Sequence, residues 1–521
     1  MSAAETRSDR RRLLLFAAAL VGTAAVCLAP TPEGLGLRGQ YALAVLFFAA
    51  FLWVTATLPL AVTALSIPLL LTLLGVYDDI DPALAGFADH LIFLFVAGFM
   101  LANALQKYRI DRRIALRLIA AMGASPRLLV LAVMLATAFL SMWVSNTATT
   151  AMMAPIAVGV LAQVIGRGRV RTEAAHPEAF TNLQVSMMLG TAYGASIGGV
   201  ATLIGTPPNT VVAAQLEKLA GVDIGFTEWL AIGLPLVVVT LPLAWWLLTF
   251  VLYPPGALGV TEARGEARRL LAAEGPLDPR GQRVAAIFAV TAGLWVLGGL
   301  DFLTSGVLPP PVQTTLFGGE GPNLLGTSGH QGVLYYVVVG LAAIPALVLT
   351  GTMEWDDLVA IDWGTILLFG GGIALADAFA RTGATEWLAD SFFQVLIGAP
   401  IVLVVGAVVL LVIFLTEVTS NTATATILAP LLVGIGAVLA GTLGLPREAA
   451  SVFLAVAGGV AASFAFALPV ATPPNAIVFG SGYLRQAHML RAGLVLNLVM
   501  TGVLTLLITA LFHWVWPGLL W

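Results

Sequence analysis

Charge is scarce in this chain: only 10% of its 521 residues are Asp, Glu, Lys or Arg, against roughly 25% in an ordinary soluble domain. That shortage excludes a soluble globular protein. Cysteine is scarcer still. The single Cys27 excludes an intramolecular disulfide and any multi-cysteine metal centre. There is no basic stripe or aromatic-interleaved basic patch, so no nucleic-acid partner is expected. No GxxxxGK[ST] loop occurs, which argues against a nucleotide-driven pump. His90, His176, His330, His488 and His513 come without an HExxH motif or a Cys/His cluster, so a zinc-type centre is not expected. What the chain does have is apolar sequence, 59% of it, in runs of about 17 to 25 residues, the length of a helix crossing a bilayer. The composition predicts an all-α polytopic membrane protein, with the lipid bilayer as its solvent.

The N-terminus imitates a signal peptide, with Arg7, Arg10, Arg11 and Arg12 ahead of an apolar run from Leu13 to Ala29. The exit through Val26, Cys27, Leu28, Ala29 and Pro30 lacks a small-residue cleavage pattern, so the run reads as an uncleaved span carrying Cys27 as a buried helix cysteine. Eleven spans are expected, at 13–30, 40–58, 60–77, 89–106, 181–216, 228–253, 283–300, 332–350, 363–380, 450–483 and 492–515. Two further apolar stretches, 127–165 and 400–440, are too long for one helix and too interrupted for two, and each has a polar cluster at its middle. They read as re-entrant hairpins. With the N-terminus cytoplasmic, this arrangement puts 20 of the 24 basic residues on the cytoplasmic side; Arg38, Lys218, Arg381 and Arg447 are the exceptions. Such a bias is what the positive-inside rule requires. It predicts a multi-pass protein of the cytoplasmic membrane with its C-terminus outside. The Pro/Gly-rich segment 301–331 is expected to be an extracytoplasmic loop.

The chain repeats itself. SNTATTAMMAP at 145–155 returns as SNTATATILAP at 420–430, LFVAGFMLANAL at 94–105 as LFGGGIALADAF at 368–379, and GTPPN at 205–209 as ATPPN at 471–475. The offsets are 275, 274 and 266 residues. The expected organisation is therefore a first span with its cytoplasmic lead (1–39), a first repeat at 40–253, a cytoplasmic linker at 254–282 and a second repeat at 283–521. Five crossings per unit, an odd number, turn the second copy upside down. Inverted repeats characterise secondary transporters, whose site lies near the midplane between broken helices.

Ser145, Asn146 and Thr147 are small polar residues suited to a hairpin tip and to a helix N-cap. Pro207 and Pro208 stop the helix before them, leaving carbonyls of the preceding turn without helical partners. One isolated copy of either motif would read as a polar kink or a proline hinge; two copies in opposed units read as a site. Ser145, Ser420, Asn146, Asn421 and the carbonyls around Gly205 and Ala471 make hard oxygen sets for an alkali cation. The same hydroxyls and amides, with the helix N-termini behind them, suit an anion. Neither set contains Lys or Arg, so a dianion there needs cations to accompany it.

These motifs resemble the divalent anion/sodium symporter family, the sodium-coupled dicarboxylate and sulfate carriers. The resemblance rests on SNTATTAMMAP, on SNTATATILAP preceded by Thr416 and Glu417, on ASIGGVATLIGTPPN at 195–209 and on ATPPNAIVFGSG at 471–482. It implies at least two sodium sites, one using Ser141, Ser145, Asn146 and Gly205, the other Thr416, Ser420, Asn421 and Ala471. It implies substrate contacts from Ser145, Asn146, Thr147, Thr206, Pro207, Ser420, Asn421, Thr422, Thr472 and Pro473. It also implies a homodimer in which a transport domain moves against a static scaffold.

Glu417 and Asp377 lie in apolar stretches, where an ionisable side chain is functional by default. Glu417 is expected to shape the second tip, and Asp377, matching Asn103, to make a structural polar contact. Trp514, Trp516 and Trp521 read as interface anchors. The function expected is sodium-coupled symport of a four-carbon dicarboxylate, with no enzymatic activity. A sodium-independent exchanger or a sulfate symporter on the same fold are the alternatives. A hydrolase would need a histidine at membrane depth beside a serine, and a channel would need a continuous polar pore.

Overall fold

The computed structural model describes residues 3–122, 125–165, 181–256, 261–304, 306–393 and 398–516. Arg167, Arg169, Arg171, His176 and Trp521 lie outside the described residues. The fold is helical, with a single two-residue β-pairing between Gly318–Gly319 and His330–Gln331. Among the described residues nine helices are long and apolar enough to cross a membrane. Two of them, at Asn146–Val164 and Asn421–Val438, are the second arms of the hairpins. Four of the eleven expected spans do not reach that length. Leu60–Leu73 and Tyr336–Leu349 have 14 residues each, and the two broken spans are split.

The same order of elements occurs twice. The first hairpin pairs Pro126–Ser141 with Asn146–Ile165, and the second pairs Ile401–Thr416 with Asn421–Val438. Ser125 starts the first arm by accepting from Leu128 N–H, with Pro126 at the helix's first position, where a missing donor costs nothing. The broken spans follow, as Asn182–Gly199 with Pro207–Ala220, and Arg447–Ala461 with Pro473–Gly480. Asn182–Gly199 is buried almost throughout and carries glycines at every fourth position against the first hairpin arm. A Cβ at Gly194 would come 2.9 Å from Met134 O, and one at Gly198 would come 2.3 Å from Ala138 O. Without a hydrophobic force between helices in lipid, such close backbone approach supplies the packing.

The broken helices exchange partners. Pro207–Ala220 packs against Asn421–Val438 of the second hairpin, and Pro473–Gly480 packs against Asn146–Ile165 of the first. This exchange brings both hairpin tips to both interruptions. Apart from this region, Leu37–Thr55, Leu60–Leu73 and Trp363–Thr382 share a second, smaller core that includes Trp53, Leu71 and Phe379.

The structure corrects several expectations. The 254–282 linker contains a helix, Thr261–Ala273, which packs on Ile110–Met122, an element the span reading passes over. Arg113 donates to the carbonyls of Glu274 and Gly275, tying the two together. The loop 301–331 holds short helices at Asp301–Thr304 and Pro310–Phe317. Cys27 is half-buried, not buried, because its helix stands largely apart from the rest of the bundle. Trp516 is fully buried against Phe512, since the chain folds back after Trp514 through a bond from Trp516 N–H to Leu511 O, whereas Trp514 stays exposed. Asp377 makes the structural contact expected of it, accepting from Tyr77 Oη–H and Arg381 Nε–H at 2.7 Å each.

Candidate functional site

A cavity of about 590 Å³ lies where the two tips and the two interruptions meet. All ten residues expected to contact substrate line it: Ser145, Asn146, Thr147, Thr206, Pro207, Ser420, Asn421, Thr422, Thr472 and Pro473. Gly205 lines it too, whereas Ser141 and Thr416 are wholly buried and Ala471 nearly so, behind its wall. Phe99, Asp362 and Thr365 complete it with residues that sequence reasoning missed.

Four helices begin at the cavity, at Asn146, Pro207, Asn421 and Pro473. Their N-termini each present the positive end of a helix dipole, equivalent to roughly half a charge. Ser145 Oγ accepts from Ala148 N–H at 3.3 Å, Ser420 Oγ from Ala423 N–H at 3.0 Å and Thr472 Oγ1 from Asn475 N–H at 3.2 Å. These caps fix both tips and the second interruption. None of the described residues lining the cavity is a Lys, Arg or His. An anion there is therefore met by helix dipoles, hydroxyls and amides without a basic side chain, and it shares the lining with the Asp362 carboxylate.

Behind the wall, the expected cation ligands stand in matched pairs. Ser141 Oγ–H donates to Asn146 Oδ1 at 2.5 Å, and Thr416 Oγ1–H to Asn421 Oδ1 at 2.9 Å. Asn146 also sets its Nδ2 3.5 Å from Thr206 Oγ1, linking the first tip to its interruption. A Cβ on Gly199 would sit 2.4 Å from Asn146 Oδ1, and one on Gly205 2.4 Å from Gly199 O. Glycine at both positions lets the Asn146 side-chain oxygen and the Gly199 carbonyl approach this closely.

The freed carbonyls are not all without partners. Asn209, the last residue of GTPPN, donates through Nδ2 to Gly199 O at 2.9 Å and Thr202 O at 2.7 Å. Asn475 does the same to Ala465 O at 3.1 Å and Leu468 O at 3.0 Å. Glu417 takes the loop's donors. Its carboxylate accepts from Phe466, Ala467 and Leu468 N–H at 2.6 to 2.9 Å and from Asn497 Nδ2 at 2.7 Å. Its place three residues before Ser420 signals a role at the tip; three of its four partners are backbone groups, which leave no mark in the sequence.

A second polar cluster joins Asp89, His90 and Glu217, away from the cavity. His90 Nδ1 lies 3.7 Å from Asp89 and Nε2 lies 3.5 Å from Glu217, while Lys218 reaches Asp89 at 3.5 Å. The two imidazole nitrogens face different carboxylates, and one metal ion can bind only one of them.

A bundle of apolar helices that closes two broken spans and two hairpin tips around a cavity with no basic side chain defines a membrane transporter, not an enzyme. The family described as the sodium:sulfate symporter transmembrane region matches residues 10–520, and the chain belongs to it. It is 38% identical over 463 residues to an uncharacterized transporter of Haemophilus influenzae, covering 89% of each chain. It is 32% identical to the sodium-dependent dicarboxylate transporter SdcS of Staphylococcus saprophyticus, over 92% of this chain and 87% of that one. For SdcS of Staphylococcus aureus strain USA300 the identity is 31%, over 92% and 86%. Among solved structures, the YdaH transporter of Alcanivorax borkumensis superposes with a TM-score of 0.54 at 15% identity, covering 92% of this chain and 98% of its own. MtrF of Neisseria gonorrhoeae gives 0.55 at 13%, covering 98% and 95%. These two likenesses speak to the fold alone.

Proposed function

We propose that the chain is a sodium-coupled symporter of C4-dicarboxylates, such as succinate, malate and fumarate, working by alternating access. One observation carries this reading: the ten expected substrate residues share one cavity lined by four helix N-termini and no basic side chain. A dicarboxylate has a carboxylate for each tip, and its two charges need two or more cations, because an uncompensated ion in low dielectric costs several kcal/mol. The oxygen pairs Ser141–Asn146 and Thr416–Asn421 are placed to hold them, with Gly205 and Ala471 supplying loop carbonyls. The naming of the staphylococcal relatives as sodium-dependent dicarboxylate transporters agrees with this.

The two repeats, 40–253 and 283–521, are opposed in the membrane, with the N-terminus cytoplasmic and the C-terminus outside. In that orientation Pro59, Asp362 and Thr365 lie toward the cytoplasm, so the cavity opens inward. The hairpins and broken helices form the part that moves, and the first spans a scaffold shared in a homodimer. Uptake of labelled succinate into proteoliposomes is expected to need an inward sodium gradient and to be competed by malate and fumarate more than by sulfate. Uptake that ignores sodium and follows internal counter-substrate would establish an exchanger instead, and stronger competition by sulfate would reassign the substrate. In a Cys27→Ser background, Ala272→Cys should label from the cytoplasm and Glu320→Cys from outside; labelling of both from one side would refute the opposed repeats.

A further inference from the structure

We infer that Asn209 and Asn475 are the positioning residues of the two cation sites, bracing the loops that carry the Gly205 and Ala471 carbonyls without being ligands themselves. This deepens the sodium-coupled reading and rests on it. Both residues occupy the third helical position after a Thr-Pro-Pro start, where two prolines fix the backbone and aim the third side chain back across the loop. Both reach carbonyls ten and seven residues upstream, Gly199 and Thr202 in one loop, Ala465 and Leu468 in the other. The carbonyl seven residues upstream also accepts from a loop N–H in each case, from Gly205 and from Ala471. The brace is thus the same in both halves, although the loops it holds share little sequence.

The amide is used one-sidedly. Both side chains are fully buried, and in each the Oδ1 atom has no protein partner while Nδ2 serves two carbonyls or more. A buried amide retained only for packing would be replaceable by leucine, which has nearly its shape and leaves no orphan oxygen. The donor half is therefore what the position requires. A carbonyl has two lone pairs; the amide takes one at Gly199, and Asn146 Oδ1 and Gly205 are packed against that same residue. An ion of sodium's radius, close to calcium's, takes its oxygens at roughly 2.3–2.6 Å, so drift of half an ångström in the loop spoils the shell.

The test uses full-length Asn209→Leu and Asn475→Leu, which keep volume and remove the donors, with Asn209→Ala and Asn475→Ala beside them. Sodium half-saturation is expected to rise at least tenfold for both uptake and the sodium-dependent rise in melting temperature of detergent-purified protein. Dicarboxylate half-saturation at the highest sodium should stay within about threefold. A lower melting temperature without sodium, combined with unchanged half-saturation, would make the residues merely structural and overturn the inference. Failure of all four variants to accumulate as folded protein would do the same. A wild type whose uptake and melting both ignore sodium would bring down the proposed function and this brace together. Sodium dependence in the wild type with normal half-saturation in the Leu variants would overturn the brace alone.

Discussion

The two interruptions differ in length: residues 200–206 separate the halves of the first broken span, and residues 462–472 separate the halves of the second. The second helix stops about one turn earlier than its counterpart. Past that turn Glu417 collects the N–H groups of Phe466, Ala467 and Leu468, whereas in the first half Val200 and Ala201 N–H bond back to Ile197 O and Gly198 O. At the equivalent place in the first tip stands Met142, which offers only its carbonyl, to Thr202 Oγ1–H at 2.5 Å. Ligand geometry is alike on both sides, yet the support behind it differs in kind. A duplicated site can keep its inner surface while its outer braces diverge, because the ions see only the oxygens.

Breaking either inner surface should have the largest effect. Asn146→Ala and Asn421→Ala are each expected to abolish uptake, on the order of 100-fold or more at equal expression, since each amide faces both the cavity and its hydroxyl partner. Near-normal transport by one of them would show that the halves are not equivalent in function. Next come the braces. Glu417→Ala orphans three backbone donors at about 1–3 kcal/mol each, comparable to a domain's whole stability, so little folded protein should accumulate. Met142→Ala should cost about 1 kcal/mol. Melting and monodispersity in detergent measure both; equal losses would erase the distinction drawn between the tips.

The smallest effect lies outside the membrane spans. Asp111 on Ile110–Met122 is buried, and burial pushes its carboxyl up to about 6 against the backbone N–H and Arg112, which favour its charge. Its counterpart 275 residues on, Glu386, is exposed. A raised carboxyl binds its proton more tightly in the folded than in the unfolded chain. Stability contributed by this group therefore grows as pH falls through 6 toward 4, and the penalty is complete above 6. Asp111→Asn should add about 1–3 kcal/mol at pH 8 and almost nothing at pH 4, read as melting temperature; Glu386→Gln should change neither.

Much of this was legible because the chain states it twice. The motif pairs located both tips and both interruptions, the resemblance they carry named all ten residues now found on the cavity, and the length of two interrupted apolar stretches marked the hairpins. The exchange of Pro207–Ala220 and Pro473–Gly480 between halves was not legible, since contacts between elements so far apart in the chain leave no periodicity. Ile110–Met122 and Thr261–Ala273 were passed over because their arginines were read as topology and not as one face of a helix. Asn209 and Asn475 stood in plain view at the end of TPPN. Their role needed the fold, because their partners are carbonyls, which every residue has.

Glu417 also imposes an order on biosynthesis. Its last partner, Asn497, lies 80 residues further along the chain, which a ribosome making about 5–20 residues per second supplies some 4–16 s later. The loop donors of Phe466, Ala467 and Leu468 come 49 to 51 residues on, and until Asn497 follows the carboxylate lacks its amide partner, where an incompletely paired charge in lipid is costly. The second tip therefore gains its full set of partners only once Gln486–Trp514 has been made. The half of the protein made last is also the half that cannot commit to its place alone.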